Sequence, residues 1–446
     1  MYSVLILILG VFPTALMFSI ARAERDFGTP HPIRVVAWIL LFGYTLKSVY
    51  LAYAVATNAP FRTSHLPRDI IPLGQTAIIL GSIAFILGYL LFRGNTSNIK
   101  IVPRKISRIN FDPRIAYYTL FFVSLALMIM FFYKMEFMAQ ILSLKFRASK
   151  FFLQEDTNIK SSLGFLTVGA DFLMVYFLYD FAYRKKISPT SVYFLAILFV
   201  LLCFFLSSRR NGVIIVVVLF LMVRNYRDVA FRVPAFLKKA RAWVTIGSVL
   251  LILAFAGQIR KGGGEKSLLD LDIYTAVTVS AEHALQGAYF LDPAKTSAII
   301  DYVDTNDSYL LGSSFFNTLL APIPRVWWPE KPNIRIGPYV GQEILRFNNE
   351  SGAPPGGIGE LYLNFGWPGV FIGMAVLGAI VARLWRQYIA SADRRFERIP
   401  LALYIASVMI FLLVEFSGAV VILVKFQIGI FVCKRYWRWR EARQMT

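Results

Sequence analysis

Long apolar runs separated by short polar segments dominate this chain from one end to the other. A helix needs about 20 apolar residues to cross the roughly 30 Å hydrocarbon core of a bilayer. Reading the sequence for such runs predicts about 11 spans. They cover residues 3–18, 35–57, 71–92, 115–133, 163–183, 191–206, 213–223, 244–259, a run ending at 384, 401–415 and 419–433. We therefore predict an all-α polytopic membrane protein.

Composition and charge agree with this fold class and predict its orientation. The 446 residues are 57% hydrophobic and only 16% charged, which excludes a soluble multidomain protein. Lys and Arg outnumber Asp and Glu by 47 to 26, for a net charge of +21, and they gather in alternate loops. By the positive-inside rule those loops are cytoplasmic, which places the N-terminus outside and the C-terminus inside. The excess therefore indicates topology and gives no reason to expect nucleic acid as a partner.

Two pairs of apolar runs are too short for two full crossings. Residues 192–223 contain Arg209 and Arg210 at their turn, and residues 401–433 contain Glu415 at theirs. Lipid does not tolerate such groups. Short paired helices with charge at the turn predict a water-filled cavity that opens outward.

One outward-facing loop, between the eighth and ninth spans, is long enough to fold. It runs from Arg260 to Gly359 and divides the chain into a transmembrane body (1–259), a large periplasmic loop (260–359) and C-terminal helices with a basic tail (360–446). Apolar spacing predicts helices at 268–291 and 296–303, lying on the membrane surface or capping the cavity. After Tyr309 the helical period is lost.

A rigid aromatic and cationic element lies late in this loop. Pro322, Pro324 and Pro329 flank Arg325 and Trp328 in the pattern Pro-x-Pro-Arg-x-x-Trp-Pro. The prolines restrict the backbone, so the guanidinium loses little entropy when it binds phosphate oxygens, and tryptophan offers a flat face to sugar rings. The alternative is a structural loop whose tryptophans anchor at the lipid headgroups.

A Pro-Gly-rich stretch follows Arg346 and ends at Glu360. Its glycines allow the backbone to approach a bulky ligand closely, and Glu360 is expected at the membrane surface, at the mouth of the next span. A carboxylate or an imidazole in this loop can act as a general base, for which Glu360 is the first candidate and His283 the second. A packed or capping histidine is the alternative for His283.

The sequence gives little support for a metal or cofactor. Asp270 and Asp272 have the spacing of a metal-binding pair, but an acidic cluster at a helix start is the favoured explanation. Cys203 and Cys433 both lie in apolar runs, and the three histidines are far apart. We predict no metal and no cofactor.

Taken together, these motifs resemble those of the O-antigen polymerases, the Wzy-type oligosaccharide repeat unit polymerases. The resemblance lies in the Pro-x-Pro-Arg-x-x-Trp-Pro element, the Arg before a Pro-Gly-rich loop, and an Ile-Gly-Glu-x-Tyr-x-Asn-Phe-Gly run. The Arg-x10-Gly pattern described for that family occurs once, from Arg346 to Gly357, and the second copy reported for some members is missing.

The resemblance implies a GT-C-like fold and metal-free glycosyl transfer on the periplasmic face of a bacterial inner membrane, in lipopolysaccharide biosynthesis. The donor would be a glycan on undecaprenyl pyrophosphate and the acceptor another lipid-linked repeat unit, with membrane lipid as surroundings and a chain-length regulator protein as a further partner. Cations are needed where pyrophosphate charge develops, and the candidates are Arg210, Arg260, Arg325 and Arg346. The expected substrate-loop residues are Trp328, Gly357, Tyr362 and Asn364.

Two other functions stay open on the sequence. An O-antigen ligase-like transferase would use the same donor with a different acceptor. A flippase or transporter of lipid-linked or anionic glycans would use ionisable residues inside the spans, such as Lys47, Asp171, Glu415 and Lys425.

Overall fold

The fold described here comes from a computed structural model. It describes residues 2–24, 31–59, 67–94, 291–321, 323, 327–347, 352–390 and 395–444, with isolated positions at 122–123, 126–127, 129–130, 274–275, 278 and 285. This part of the chain is helical and contains no strand. Its helices are α1 (Tyr2–Ala23), α2 (Pro32–Thr57), α3 (Ile71–Phe92), α4 (Pro293–Asn306), α5 (Ser313–Leu319), α6 (Gly356–Ala390), α7 (Arg395–Leu413) and α8 (Phe416–Gln444).

Four of the described helices are long and apolar enough to cross a membrane. They are Tyr2–Ala23, Pro32–Thr57, Arg68–Phe92 and Gly356–Ala390. They match the predicted runs at 3–18, 35–57, 71–92 and the run ending at 384, so the prediction of a polytopic helical membrane protein is confirmed. The segments Ile399–Leu413 and Phe416–Phe431 are apolar but shorter. The remaining predicted runs lie wholly or mostly outside the described residues, and the total of about 11 spans and the GT-C-like arrangement stay predictions.

The contact between α1 and α2 follows from a proline inside α1. Pro13 has no N–H to donate to the carbonyl of Leu9, and an unsatisfied carbonyl is costly in lipid. The hydroxyl of Tyr44 donates to Leu9 O at 3.0 Å, and that of Thr45 donates to Gly10 O at 2.9 Å. Both residues lie in a π-helical turn of α2, Leu41–Thr45. A widened turn in one span thus satisfies the backbone that proline disturbs in its neighbour.

The first three spans alternate in direction. Glu24, just after α1, pairs with Arg93, just after α3, and His31, just before α2, lies 3.1 Å from the Tyr89 hydroxyl near the end of α3. The end of α1, the start of α2 and the end of α3 therefore share one side of the bundle. This is the alternation that the basic loops predict for the first three runs.

α6 runs parallel to α3 over most of its length, and the two helices approach each other through glycine. Met374 packs beside Gly81, and Arg386 lies beside Gly94. A Cβ at Gly378 would overlap the carbonyl of Phe85, so the two backbones nearly touch. Small residues at the contact are what close packing of helices in lipid requires. The direction of α6 agrees with the alternation predicted for the third and ninth spans.

α6 is bent back on itself at Gly366. This glycine has φ 62° and ψ −151°, a conformation that other residues rarely adopt. Leu361 and Gly373 would stand roughly 18 Å apart along a straight helix, yet the Leu361 side chain lies against Gly373. Residues 356–365 therefore double back along the start of the long segment 367–390. The sequence predicts a span that ends at 384, and it gives no sign of this hairpin.

The bend leaves carbonyl groups that a neighbouring segment satisfies. Pro368 has no N–H for the carbonyl of Asn364, and the bend ends the helical pattern after residues 356–365. Leu310 N–H donates to Leu363 O at 2.8 Å, and Leu311 N–H donates to Asn364 O at 3.2 Å. The chain just before α5 is thus hydrogen-bonded to the bend.

Two further elements compare with the sequence predictions. The helix predicted at 296–303 is present as α4, whereas most of the predicted helix at 268–291 lies outside the described residues. The stretch after Tyr309, which shows no helical period, nevertheless contains the short helix α5. A helix of seven residues is too short to produce a visible period in the sequence.

We predict that Gly378→Ala lowers the stability of the protein, because its Cβ has no room against the α3 backbone. Overpacking of this kind typically costs about 1–3 kcal/mol. Gly418→Ala is the matched control, since its nearest neighbours lie at 3.6 and 3.7 Å, which is ordinary contact. The measurement is the thermal unfolding midpoint in detergent. Equal midpoints for the two variants would contradict the close packing of α3 and α6.

Candidate active site

Glu360 is buried where three separate segments meet. Glu360 belongs to the first part of α6, residues 356–365, and it is 1% exposed. Ser314 in α5 donates its hydroxyl to Glu360 Oε1 at 2.9 Å, and the N–H of Phe416 donates to Oε2 at 2.7 Å. Phe416 is the first residue of α8, so the carboxylate lies at a helix N-terminus, where negative charge is favourable. One carboxylate thus holds α5, α6 and α8 together.

Asn364 extends this network one turn along α6. Its Nδ2 donates to Ser314 Oγ at 2.8 Å and to Glu360 O at 2.7 Å, while its Oδ1 accepts from Gly312 N–H at 2.9 Å. Asn364 is completely buried. Both ends of its amide are therefore paired, as a buried polar group requires. The orientation of the Ser314 hydroxyl towards Glu360 follows from this bond.

A second carboxylate, Glu415, lies in the turn between α7 and α8. Its oxygens accept from Gly337 N–H at 3.1 Å and from the Ser417 hydroxyl at 3.0 Å. The adjacent carbonyl of Val414 accepts from Gly356 N–H at 2.8 Å. The sequence predicts water around the charge at this turn, whereas the structure buries Glu415 under protein donors. The corresponding turn at Arg209 and Arg210 lies outside the described residues.

The Glu360 segment lies at the depth of the spanning helices. Ile358 packs beside Gly81, near the middle of α3, and Gly357 packs against the carbonyl of Phe411 in α7. The sequence places Glu360 at the mouth of a span. The hairpin at Gly366 instead carries it back alongside the segment 367–390 of α6.

The other predicted site residues that are described have different surroundings. Arg346 is exposed and has a left-handed φ of 51°, after a π-helical turn, Val340–Ile344. Trp328 is partly exposed, and its carbonyl accepts from Lys331 N–H at 3.2 Å. Tyr362 is buried, and its hydroxyl donates to Asp304 Oδ1 at 2.8 Å. Gly357 is buried near the start of α6. The structure brings Asn364 and Glu360 together and ties Tyr362 to α4.

Four predicted residues lie outside the described part of the chain: Arg210, Arg260, His283 and Arg325. The acidic pair Asp270 and Asp272 also lies outside it. Within the described residues, no group of three or more His, Cys, Asp and Glu side chains is placed to hold a metal ion.

A buried ionic cluster lies close to the Pro-Gly-rich loop. Lys47 Nζ of α2 lies 3.2 Å from Asp292 Oδ2, and Asp292 Oδ1 caps α4 by accepting from the N–H groups of Ala294 and Lys295. The Nζ of Lys295 donates to the carbonyl of Pro354 at 2.5 Å. This cluster joins α2, α4 and the loop that leads into α6.

Burial lowers the pKa of Lys295 from its ordinary 10.5 to about 7. Desolvation is the main cause, because a charged amine loses its hydration in the interior. Asp292 acts against this shift by favouring the charged amine, and Lys47 adds to it by repulsion.

Ser314, Asp292 and Lys295 are absent from the residues that the sequence singles out. Ser314 is an ordinary serine in a segment without a helical period, so no local signal marks it. Asp292 does have a local sequence signal, because Asp followed by Pro is a common helix start. Lys47 stands out in an apolar run, and the structure supplies its partner 245 positions away.

Comparison with known proteins gives one match. The model of the family described as O-antigen polysaccharide polymerase Wzy matches residues 2–280, more than half of the chain. The chain belongs to this family. The family expected from the sequence is thereby confirmed, and the protein is a multi-pass membrane polymerase of polysaccharide. Neither the curated proteins nor the solved structures contain a match to the chain.

The matched residues and the described site lie in different parts of this polymerase. Arg210 and Arg260 fall inside the match, whereas Arg346, Gly357, Glu360, Tyr362 and Asn364 follow it. Family membership therefore supports the reaction class, and the roles of the later residues depend on their geometry.

We predict that the stability of the wild-type protein rises with pH between about 7 and 10 more steeply than that of Lys295→Met. In this window Lys295 is neutral in the folded protein and protonated in the unfolded chain, so the unfolded state binds more protons and raising the pH favours folding. Below pH about 7 the amine is charged in both states, and this dependence ends.

The readout is the unfolding midpoint in detergent as a function of pH. Lys295→Met also loses the bond to Pro354, which shifts the whole curve, but only the titration changes its slope. Parallel curves for the two proteins would contradict a neutral buried amine.

Proposed function

We propose that this polymerase joins oligosaccharide repeat units carried on undecaprenyl pyrophosphate, on the periplasmic face of a bacterial inner membrane. The proposal includes the topology of about 11 spans in a GT-C-like arrangement, with the N-terminus in the periplasm and the C-terminus in the cytoplasm. Membership of the Wzy family supports the reaction class. The single observation that carries the site assignment is Glu360, a carboxylate buried at membrane depth and fixed by donors from two other segments.

In the proposed reaction a hydroxyl oxygen of the acceptor sugar attacks the anomeric carbon of the donor glycan. The bond between that carbon and the pyrophosphate oxygen breaks, and the lipid pyrophosphate leaves with the bonding electrons. Glu360 takes the proton from the attacking hydroxyl as general base. No metal or other cofactor is part of this scheme.

The surroundings of Glu360 support this role in two ways. Its two oxygens accept hydrogen bonds from Ser314 and Phe416, which fixes the orientation of the carboxylate before substrate arrives. Each carboxylate oxygen can accept more than one hydrogen bond, so capacity for a further donor remains.

We assign the cationic role to arginines beyond this network. Arg346 is exposed at the end of a segment whose first residue, Gly337, donates to Glu415 and accepts from Ala353 N–H at 2.8 Å. These contacts connect the neighbourhood of Arg346 to the start of α6. Arg346, with Arg210, Arg260 and Arg325, would neutralise the pyrophosphate as its charge develops. His283 is kept as the alternative base.

The remaining substrate-loop candidates divide into two groups. Tyr362 and Asn364 are buried and paired with Asp304, Ser314 and Gly312, so we propose that they position Glu360 and the bend. Trp328 is partly exposed and suits direct contact with a sugar ring or lipid headgroup. A chain-length regulator is proposed as a protein partner.

We predict that Glu360→Gln abolishes chains longer than one repeat unit. The amide keeps the size of the side chain and an acceptor oxygen, but it cannot take up the proton. Glu343→Gln is the matched control, because Glu343 is exposed on the Val340–Ile344 turn. The measurement is the lipopolysaccharide ladder in cells carrying each variant, with membrane levels of the protein checked by immunoblot. A normal ladder from Glu360→Gln would move the base to His283 or to the departing phosphate.

A further inference from the structure

An uncharged segment with exposed apolar side chains lies against the bend in α6. The sequence has no charged residue between Asp307 and Arg325. We call residues 309–321, which include α5, the outer apolar segment. Within it Leu311 is 80% exposed, Phe316 63% and Leu319 67%. Large apolar side chains with so much exposure in one short stretch indicate a contact surface.

α5 has two distinct faces. Ser314 and Thr318, one turn apart, are buried, and Ser314 holds Glu360. Phe316 and Leu319 lie on the opposite side and are exposed. A short helix in water would carry polar residues on its outward face. The large side chains exposed on α5 are instead apolar, Phe316 and Leu319, and the only small polar residue exposed beside them is Ser313 at the helix start.

Leu311 adds a second, independent observation. It adopts a left-handed backbone with φ 47°, which costs a residue with a bulky side chain about 1–3 kcal/mol. Glycine or asparagine would relieve that cost in a turn facing water. Leucine at this exposed position recovers stability only if its side chain enters an apolar medium.

The outer apolar segment is also continuous with the surface of a spanning helix. Gly312 lies against the ring of Phe365, and Phe315 stacks on the same ring with centroids 6.1 Å apart. Phe365 is itself exposed on α6, next to the bend. The exposed surface of the segment therefore extends the surface of α6, whose Ile372 is 62% exposed.

We infer that the outward face of the outer apolar segment lies in the acyl-chain region of the leaflet at the Gly366 end of the bundle. The occupant of this surface is bilayer lipid, which matches its lack of charge, its exposed Leu and Phe, and its continuity with α6. Trp327, 80% exposed, follows the segment and suits the headgroup level above it. This placement requires no catalytic role for Glu360.

The test measures the depth of single probes in the full-length protein. Phe316→Cys and Leu319→Cys are made in a Cys203→Ser, Cys433→Ser background, labelled with a polarity-sensitive fluorophore, and reconstituted in vesicles of phosphatidylethanolamine and phosphatidylglycerol. Ile372→Cys on α6 is the lipid-facing control, and Asn306→Cys, exposed at the end of α4, is the water-facing control. Quenching by doxyl-labelled lipid is compared with quenching by aqueous iodide.

We expect probes at 316 and 319 to be quenched by doxyl lipid as strongly as the probe at 372. Their quenching by iodide should be several-fold weaker than at 306. Iodide quenching equal to that at 306 would overturn the inference by placing the segment in water. Protection from both quenchers would overturn it in favour of a second copy or a partner protein on this surface.

A second measurement avoids the cysteine substitutions. The natural chain in the same vesicles is photolabelled with a membrane-partitioning diazirine or a water-soluble one, and the peptide containing residues 311–319 is analysed by mass spectrometry. Labelling of Phe316 and Leu319 by the membrane reagent alone supports the inference. Labelling by the water-soluble reagent contradicts it. Because neither assay measures polymerisation, both are independent of the role proposed for Glu360.

Discussion

A backbone N–H or C=O at membrane depth must find a protein partner, because lipid offers none, and this constraint explains the contacts made at several helix breaks in the described bundle. At Pro13, at Pro368 and at the start of α8, a neighbouring segment supplies the missing group. The Tyr44 hydroxyl donates to the Leu9 carbonyl, which Pro13 cannot reach with an N–H. In the same way, the Leu311 N–H donates to the Asn364 carbonyl, which Pro368 leaves without a helical donor. At the start of α8, the N–H of Phe416 has no acceptor within its own helix, and it donates to the carboxylate of Glu360. The candidate active site contains one of these hydrogen bonds, and its acceptor is the ionisable carboxylate of Glu360.

The hairpin at Gly366 determines where the Glu360 carboxylate lies. It carries Glu360 back from the bend in α6 to the turn between α7 and α8, whose apolar segments Ile399–Leu413 and Phe416–Phe431 are shorter than the four spanning helices. A buried ionic cluster fixes the same region from the other side, since Lys295 holds the Pro-Gly-rich loop through Pro354. Breaking one partner of a buried ion pair such as Lys47 and Asp292 typically costs about 3–5 kcal/mol. The segment that bears Glu360 is therefore held at both ends.

The sequence predicts the spans well, because length and apolarity alone determine whether a helix can cross a bilayer. It also singles out Glu360 and Lys47 as ionisable groups near or inside apolar runs, and Asn364 through the resemblance to the family. It does not predict their partners, because Ser314 and Phe416 are 46 and 56 positions from Glu360 and carry no distinguishing signal. The hairpin is hidden for a similar reason. Its direction depends on Leu361 packing against Gly373, a contact that no local pattern encodes.

The central claim is that the Glu360 carboxylate joins α5 to α6 and α8, and a double-mutant cycle on its bond to Ser314 measures this directly. Unfolding free energies of the wild type, Ser314→Ala, Glu360→Leu and the double variant are determined in mixed micelles, because leucine has no oxygen that could accept from Ser314. If the Ser314–Glu360 hydrogen bond joins the helices, the changes in unfolding free energy of the two single variants do not add up to that of the double variant. The expected coupling free energy is at least about 1 kcal/mol. Additivity within about 0.5 kcal/mol would contradict it, because residues that share no interaction behave in that way.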